Sequence, residues 1–177
     1  MLKTVILYST VDGQTQAICQ RIGQVLAESG EQISLVNLAS MTPEQLVDVD
    51  KVVIGASIRY GKHRPELFKF VEQHKDLLDS KFTSFFTVNV VARKALKNTP
   101  ETNPYMQKFL TLSAWTPKML GVFAGKIDYP RYRFFDKVMI RFIMWMTKGP
   151  TDTSGTFEFT DWAKVDDFAK QVAAQKC

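Results

Sequence analysis

The chain has 177 residues, 45% of them hydrophobic, enough to bury the core of one ordinary domain. Its two cysteines, Cys19 and Cys177, have neither disulfide-framework nor zinc-ligand spacing, which points to two reduced thiols and no metal site. The formal charge of +5 is concentrated: between residues 118 and 148 seven Lys and Arg stand against Asp128 and Asp136, and these account for the whole excess.

In chain order, Met1 runs directly into a strand pattern, with neither a signal-peptide hydrophobic region nor a small-residue cleavage site, so the expectation is a protein that is not exported. Thr4 to Tyr8 is apolar and β-branched without alternation, as a parallel strand covered on both faces requires. From Thr15 to Glu28, Ile18, Ile22, Val25 and Leu26 share a helical face, and Gly30 follows as a C-terminal cap. Gln32 to Leu38 and Lys51 to Ala56 read as strands, Pro65 to Leu78 as one helix, and Phe82 to Val88 as a strand. Pro104 to Leu112 reads as a helix, Met119 to Ala124 as the fifth strand, and Asp161 to Ala174 as the last helix, with Thr160 as its N-cap. Alternation of this kind predicts a doubly wound parallel sheet with helices on both faces and a ligand crevice beyond the carboxyl ends of the strands.

Three loops leave those ends. After the first strand comes Ser9-Thr10-Val11-Asp12-Gly13-Gln14-Thr15, a hydroxyl-rich turn leading straight into a helix. Helix N-terminal amides, the helix dipole and Ser or Thr hydroxyls together suit a phosphate dianion; the plain alternative is a helix start capped by Thr15 or Asp12. Asp12 would repel a phosphate, so its carboxylate is expected to turn away. The loop is neither a Walker motif nor a dinucleotide fingerprint. After the third strand, Ser57-Ile58-Arg59-Tyr60-Gly61 can lay Ile58 and Tyr60 against a flat ring. After the fourth, Asn89-Val90-Val91-Ala92-Arg93 offers backbone amides, an amide side chain and a cation. The set, in this order, resembles flavodoxins, which bind FMN phosphate on the first loop and clasp the ring between the other two. The resemblance implies a flavodoxin-like sheet of order 2-1-3-4-5 in a single domain, 1–177. A receiver domain is disfavoured, because Ala56 and Ser57 stand where it needs an acid.

Residues 128–155 break the rhythm, since loops of this class run roughly two to six residues. As a helix, this insertion places Arg133, Lys137, Arg141 and Lys148 on one narrow stripe and leaves a broad apolar face that includes Trp145. Its apolar run falls far below the roughly 20 residues a membrane span needs. Three readings stand: a helix packed on the core, a homo-oligomer contact, or a surface meeting membrane or a large apolar anionic ligand. The aromatic and Met-rich face with a cationic border favours the third. No general base is apparent, and His63 and His74 read as surface residues.

The motifs narrow the resemblance further. The first loop, Val53-Ile54-Gly55-Ala56-Ser57-Ile58-Arg59-Tyr60-Gly61, Val88-Asn89-Val90-Val91-Ala92-Arg93-Lys94, Tyr129-Pro130-Arg131-Tyr132-Arg133, and Thr151-Asp152-Thr153 with Thr160-Asp161-Trp162 together resemble the flavodoxin-type protoporphyrinogen IX dehydrogenases of bacteria. That resemblance spans the chain. It implies FMN-dependent oxidation of protoporphyrinogen IX, with electrons passed to a membrane quinone, by a protein peripheral to the cytoplasmic face of the inner membrane. Arg131 and Arg133 are then candidates for the substrate's propionates, with Lys137, Arg141 and Trp145 as further substrate or membrane contacts. The rivals are an electron-carrier flavodoxin, an NAD(P)H:quinone reductase on the same fold and, last, a nucleic-acid binder. A basic insertion argues against the first, no second nucleotide site is visible for the second, and the aromatics lie on a helix face rather than a stacking sheet for the third.

Overall fold

The computed structural model describes all residues, 1–177. Five strands form one parallel sheet: β1 (Lys3–Ser9), β2 (Gln32–Asn37), β3 (Lys51–Ser57), β4 (Phe82–Asn89) and β5 (Met119–Ala124), in the spatial order β2-β1-β3-β4-β5. β3 and β4 are buried over most of their length, which is why they read as unbroken apolar runs, whereas the edge strand β2 is largely exposed. Adjacent strands are in close register, with Ser9 opposite Ala56 and Ser57 opposite Val88, so their loops leave the same end of the sheet together.

Seven helices accompany the sheet: α1 (Gln14–Glu28), α2 (Glu44–Val47), α3 (Pro65–Gln73), α4 (Lys75–Asp79), α5 (Pro104–Leu112), α6 (Phe134–Met146) and α7 (Trp162–Ala173). On one face, Ile18, Ile22 and Leu26 of α1 and Val165, Phe168 and Val172 of α7 pack on Ile6, Val53 and Phe86. On the other, Leu67, Phe70, Phe109 and Trp115 pack on Val5, Leu7, Val52, Ile54 and Phe85. Each full-length side chain buried this way contributes about 1.5–3 kcal/mol. Gly55 is required by this packing, because a Cβ there would stand 2.2 Å from the Phe86 ring.

Several expectations are corrected. The helix expected over Pro65 to Leu78 breaks at His74, whose φ of −112° and ψ of 16° divide it into α3 and α4. The last helix is capped by Asp161, whose carboxylate accepts from Lys164 N; the Thr160 hydroxyl instead donates to Ala124 O and ties the chain back to β5. The insertion is more ordered than a bare helix: β6 (Lys126–Asp128) and β7 (Thr156–Glu158) pair antiparallel and clamp its two ends. Lys148 lies beyond the end of α6 with a left-handed φ of 59°, so it leaves the cationic stripe that Arg133, Lys137 and Arg141 form. No helix is long and apolar enough to cross a membrane.

Candidate functional site

The carboxyl ends of β1, β3 and β4 open onto two contiguous hollows. The first is lined by Thr10, Val11, Asp12, Gln14, Thr15, Ser57, Ile58, Asn89 and Val90, all expected, together with Gly125 and Lys126, which were not. Its floor is the start of α1. Neither Thr15 nor Asp12 caps that helix: the N-cap is Gly13, at φ 90°, with no side chain accepting from the first turn. The left-handed backbone suits only glycine without strain, and the Gly13 N–H donates to Thr10 Oγ1 at 3.0 Å. The first-turn amides therefore have no side-chain acceptor. The Thr15 hydroxyl is fully enclosed and has no hydrogen-bond partner. An orphaned buried hydroxyl beside an uncapped helix start is a costly arrangement in the absence of an acceptor and a natural one in its presence.

The second hollow continues past Ile58, Arg59, Tyr60 and Gly61 on one side and Asn89, Val90 and Val91 on the other. Tyr60 (φ 52°) and Gly61 (φ 76°) form the tip of a tight turn closed by paired backbone hydrogen bonds between Arg59 and Lys62. α6 supplies a third wall through Ile140, Ile143 and Met144, with Tyr132 and Tyr105 beside them. These contributors come from a helix read as structural and from the insertion, for which core packing is one of three readings. Their position depends on how α6 folds back, which no local pattern encodes.

Arg59 joins the walls. Its guanidinium donates to both carboxylate oxygens of Asp12, at 2.5 and 2.6 Å, lies 3.6 Å from Asp136 of α6, and covers the Tyr132 ring at 5.3 Å. Burial opposes its charge, but the Asp12 carboxylate keeps its pKa above the ordinary arginine value. The Tyr60 hydroxyl donates to the same Asp136, and burial raises its pKa. The Asp12 carboxylate, expected to turn away from a phosphate, is engaged by Arg59 at the border of both hollows.

Other expected residues are committed elsewhere. Asn89 Oδ1 accepts from Ala92 N and from Asn103, so its side chain builds the loop rather than offering a free donor. Ala92 is buried. Arg93 lines neither hollow: it donates to Val90 O and Thr147 O, both at 3.0 Å, and so fastens the end of the insertion. Gln14 points its amide to Glu158 and Thr160. Arg131 is largely exposed beside a shallow cleft formed with Gly13, Gln14 and Ala17, and Arg133 is exposed ahead of α6; neither borders the second hollow. Trp145 is 71% exposed, Arg141 is exposed and Lys137 is half-buried. α6 docks through Met144, Ile140 and Ile143 onto Ile127 and Tyr129, and leaves Phe134, Phe135, Phe142 and Trp145 outside. His63 is not a surface residue: it is 7% exposed, ringed by Phe68, Phe85 and Phe109, and burial, aided by Lys108, lowers its pKa to about 4.

The family model described as Flavodoxin domain matches residues 5–154. The chain is 45% identical over 172 residues to a protein of Escherichia coli (strain K12) named protoporphyrinogen IX dehydrogenase [quinone], covering 97% of this chain and 95% of that one. A Leishmania major protein of the same name is also 45% identical, over 97% of this chain and 75% of its own length. Among solved structures, a short-chain flavodoxin associated with a PDU bacterial microcompartment superposes with a TM-score of 0.57 at 10% identity, covering 98% of this chain and 100% of the other. The flavodoxin of Streptococcus pneumonia TIGR4 does so with 0.54 at 12%, covering 98% and 99%. These two share the fold. With an ordered site at the strand ends and identity this high over nearly the full length, the chain belongs to the flavodoxin-like, quinone-dependent protoporphyrinogen IX dehydrogenases and is an oxidoreductase.

Proposed function

We propose that the chain binds FMN and oxidises protoporphyrinogen IX to protoporphyrin IX, passing the electrons to a membrane quinone in haem biosynthesis. The observation that carries the cofactor is the Thr15 hydroxyl, enclosed and unpartnered beside an uncapped helix start. The residues present fit a phosphate monoester there: the first-turn amides of α1, the Thr10 and Thr15 hydroxyls and the Lys126 ammonium line one hollow. Ile58, Tyr60, Val90 and Val91 would hold the ring, with Ile140 and Met144 excluding water from above. Bound FMN supplies the two-electron chemistry that no side chain here can perform. Arg59 neutralises Asp12 beside the phosphate site. The exposed Arg131, Arg133 and Arg141 draw acidic ligands and anionic headgroups toward the cleft by charge.

The exposed apolar side of α6, bordered by Arg133, Lys137 and Arg141, supports peripheral contact with the cytoplasmic face of the inner membrane, where the quinone resides. Each two-electron oxidation takes two electrons and two protons from the porphyrinogen, and the quinone accepts both, so no other oxidant is needed. The test is to purify the protein, record its flavin spectrum and measure porphyrinogen-dependent quinone reduction. Bound FMN with quinone-dependent turnover is expected. A protein without flavin, or one whose flavin NAD(P)H reduces rapidly in the absence of porphyrinogen, overturns the proposal.

A further inference from the structure

A third hollow adjoins the second. It is a cavity of about 380 Å³ between α3 and α5, and it shares Ile58, Gly61 and Tyr105 with the second hollow. Phe68, Pro65 and Leu112 make it apolar, and its charged lining residues are Lys62 and Lys108. Both lysines are exposed, neither makes an ion pair or side-chain hydrogen bond within the protein, and no acidic residue lines the cavity.

The third polar group is His63, 93% buried on the cavity wall. Thr87 Oγ1 is fully buried, accepts from Asn89 Nδ2 at 3.4 Å and lies 3.0 Å from His63 Nε2. In the tautomer in which the Thr87 hydroxyl donates to Nε2, the ring proton stands on Nδ1, which has no hydrogen-bond partner in the protein. A neutral imidazole N–H, two unpaired ammonium groups and the Tyr105 phenol give an apolar slot furnished with donors and lacking any competing carboxylate. That chemistry selects a flat apolar molecule that carries carboxylates at its edge.

We propose that this cavity seats the propionate-bearing edge of the tetrapyrrole, with Lys62 and Lys108 pairing the carboxylates and His63 Nδ1–H donating to one of them. The proposal rests on the substrate reading above and moves the propionates from Arg131 and Arg133, which lie outside the second hollow, to a built site beside it.

The test uses the flavin-loaded full chain and compares protoporphyrin IX with its dimethyl ester by fluorescence titration, in wild type, in Lys62→Gln/Lys108→Gln and in Arg131→Gln/Arg133→Gln. In the lysine variant the diacid should bind about tenfold more weakly, as expected for two partly exposed ion pairs, with ester binding and flavin content unchanged. The KM for protoporphyrinogen should rise in step, and the KM for quinone should not move. Four outcomes overturn it: unchanged diacid binding, equal loss for diacid and ester, a rise confined to the quinone KM, or a larger loss in the arginine variant. If wild type oxidises protoporphyrinogen and the lysine variant is unaffected, this inference alone falls; if wild type neither binds nor oxidises the porphyrin, the function falls with it.

Discussion

The two ends of the sheet differ in how their charged and helix-terminal groups are satisfied. At the amino end, Lys51 is fully buried, yet its ammonium donates to Glu31 Oε1 at 2.7 Å and to the carbonyls of Val172 and Ala173 at the end of α7, while Thr4 donates to the other Glu31 oxygen. The buried charge pair there is fully satisfied within the chain, although Ser84 Oγ of β4 and Trp115 Nε1 ahead of β5 are buried without partners. At the carboxyl end the Thr15 hydroxyl is enclosed without a partner, α1 begins uncapped, and the exposed Lys62 and Lys108 are unpaired. What distinguishes Thr15 from Ser84 and Trp115 is its place beside an uncapped helix start on the wall of a hollow, where an acceptor would complete its hydrogen bonding.

The largest break in this comparison should come at the saturated end. Lys51→Met leaves the buried Glu31 carboxylate without its cation and should cost about 3–5 kcal/mol in urea unfolding, with much of it recovered by Lys51→Met/Glu31→Leu. A loss below about 1 kcal/mol in the single variant would mean that water reaches this end and that the contrast is not real.

Next comes His63. Its pKa is about 4 in the folded chain against an ordinary 6.5, so between these values the unfolded chain binds more protons. The resulting stability is complete above pH 6.5 and is lost as pH falls toward 4, a total of about 3 kcal/mol. The unfolding free energy of wild type, followed from pH 7 to 4, should show this loss, and His63→Asn should lack that part of the slope. Parallel curves would place His63 in water.

Thr15→Val should act in opposite senses on the two forms. Without cofactor it removes an unpartnered hydroxyl and should leave stability unchanged or raise it by up to about 1 kcal/mol. With cofactor it should weaken FMN by about tenfold to a hundredfold, the worth of a hydrogen bond to a charged group. Equal FMN affinity by fluorescence titration would remove the phosphate from this hollow. The smallest effect on folding belongs to α6: Phe134→Ser/Trp145→Ser should change stability by less than about 0.5 kcal/mol per site, since both side chains are exposed. The same variant should lose about tenfold in binding to anionic vesicles, and unchanged vesicle binding would separate the exposed face from any membrane role.

Much of the frame could be read from local patterns. The runs at Thr4 to Tyr8, Lys51 to Ala56 and Phe82 to Val88 are apolar because both faces are covered, and the phosphate-type loop stands out because hydroxyls, a glycine and a helix start fall within seven residues. Position 63 illustrates the limit. It precedes a helix and has polar neighbours in sequence, yet α5, far along the chain, closes over it with Phe109. Lys126 was visible only as one cation in a basic stretch, and it enters the first hollow because β6 and β7 pair across some thirty intervening positions. Arg93 reads as a loop cation open to ligands, but the returning insertion offers it Thr147.

The sequence by itself determined the strand and helix rhythm, the place of the crevice, the family resemblance and the charge of the insertion, because periodicity, turn chemistry and composition act over short stretches of chain. Only the tertiary structure decided which polar groups are satisfied: that Lys51 has all its partners, that Thr15 has none, that Arg59 binds Asp12 and faces Asp136, and that His63 is enclosed against Thr87. Satisfaction depends on contacts between residues distant in sequence, which no local pattern encodes.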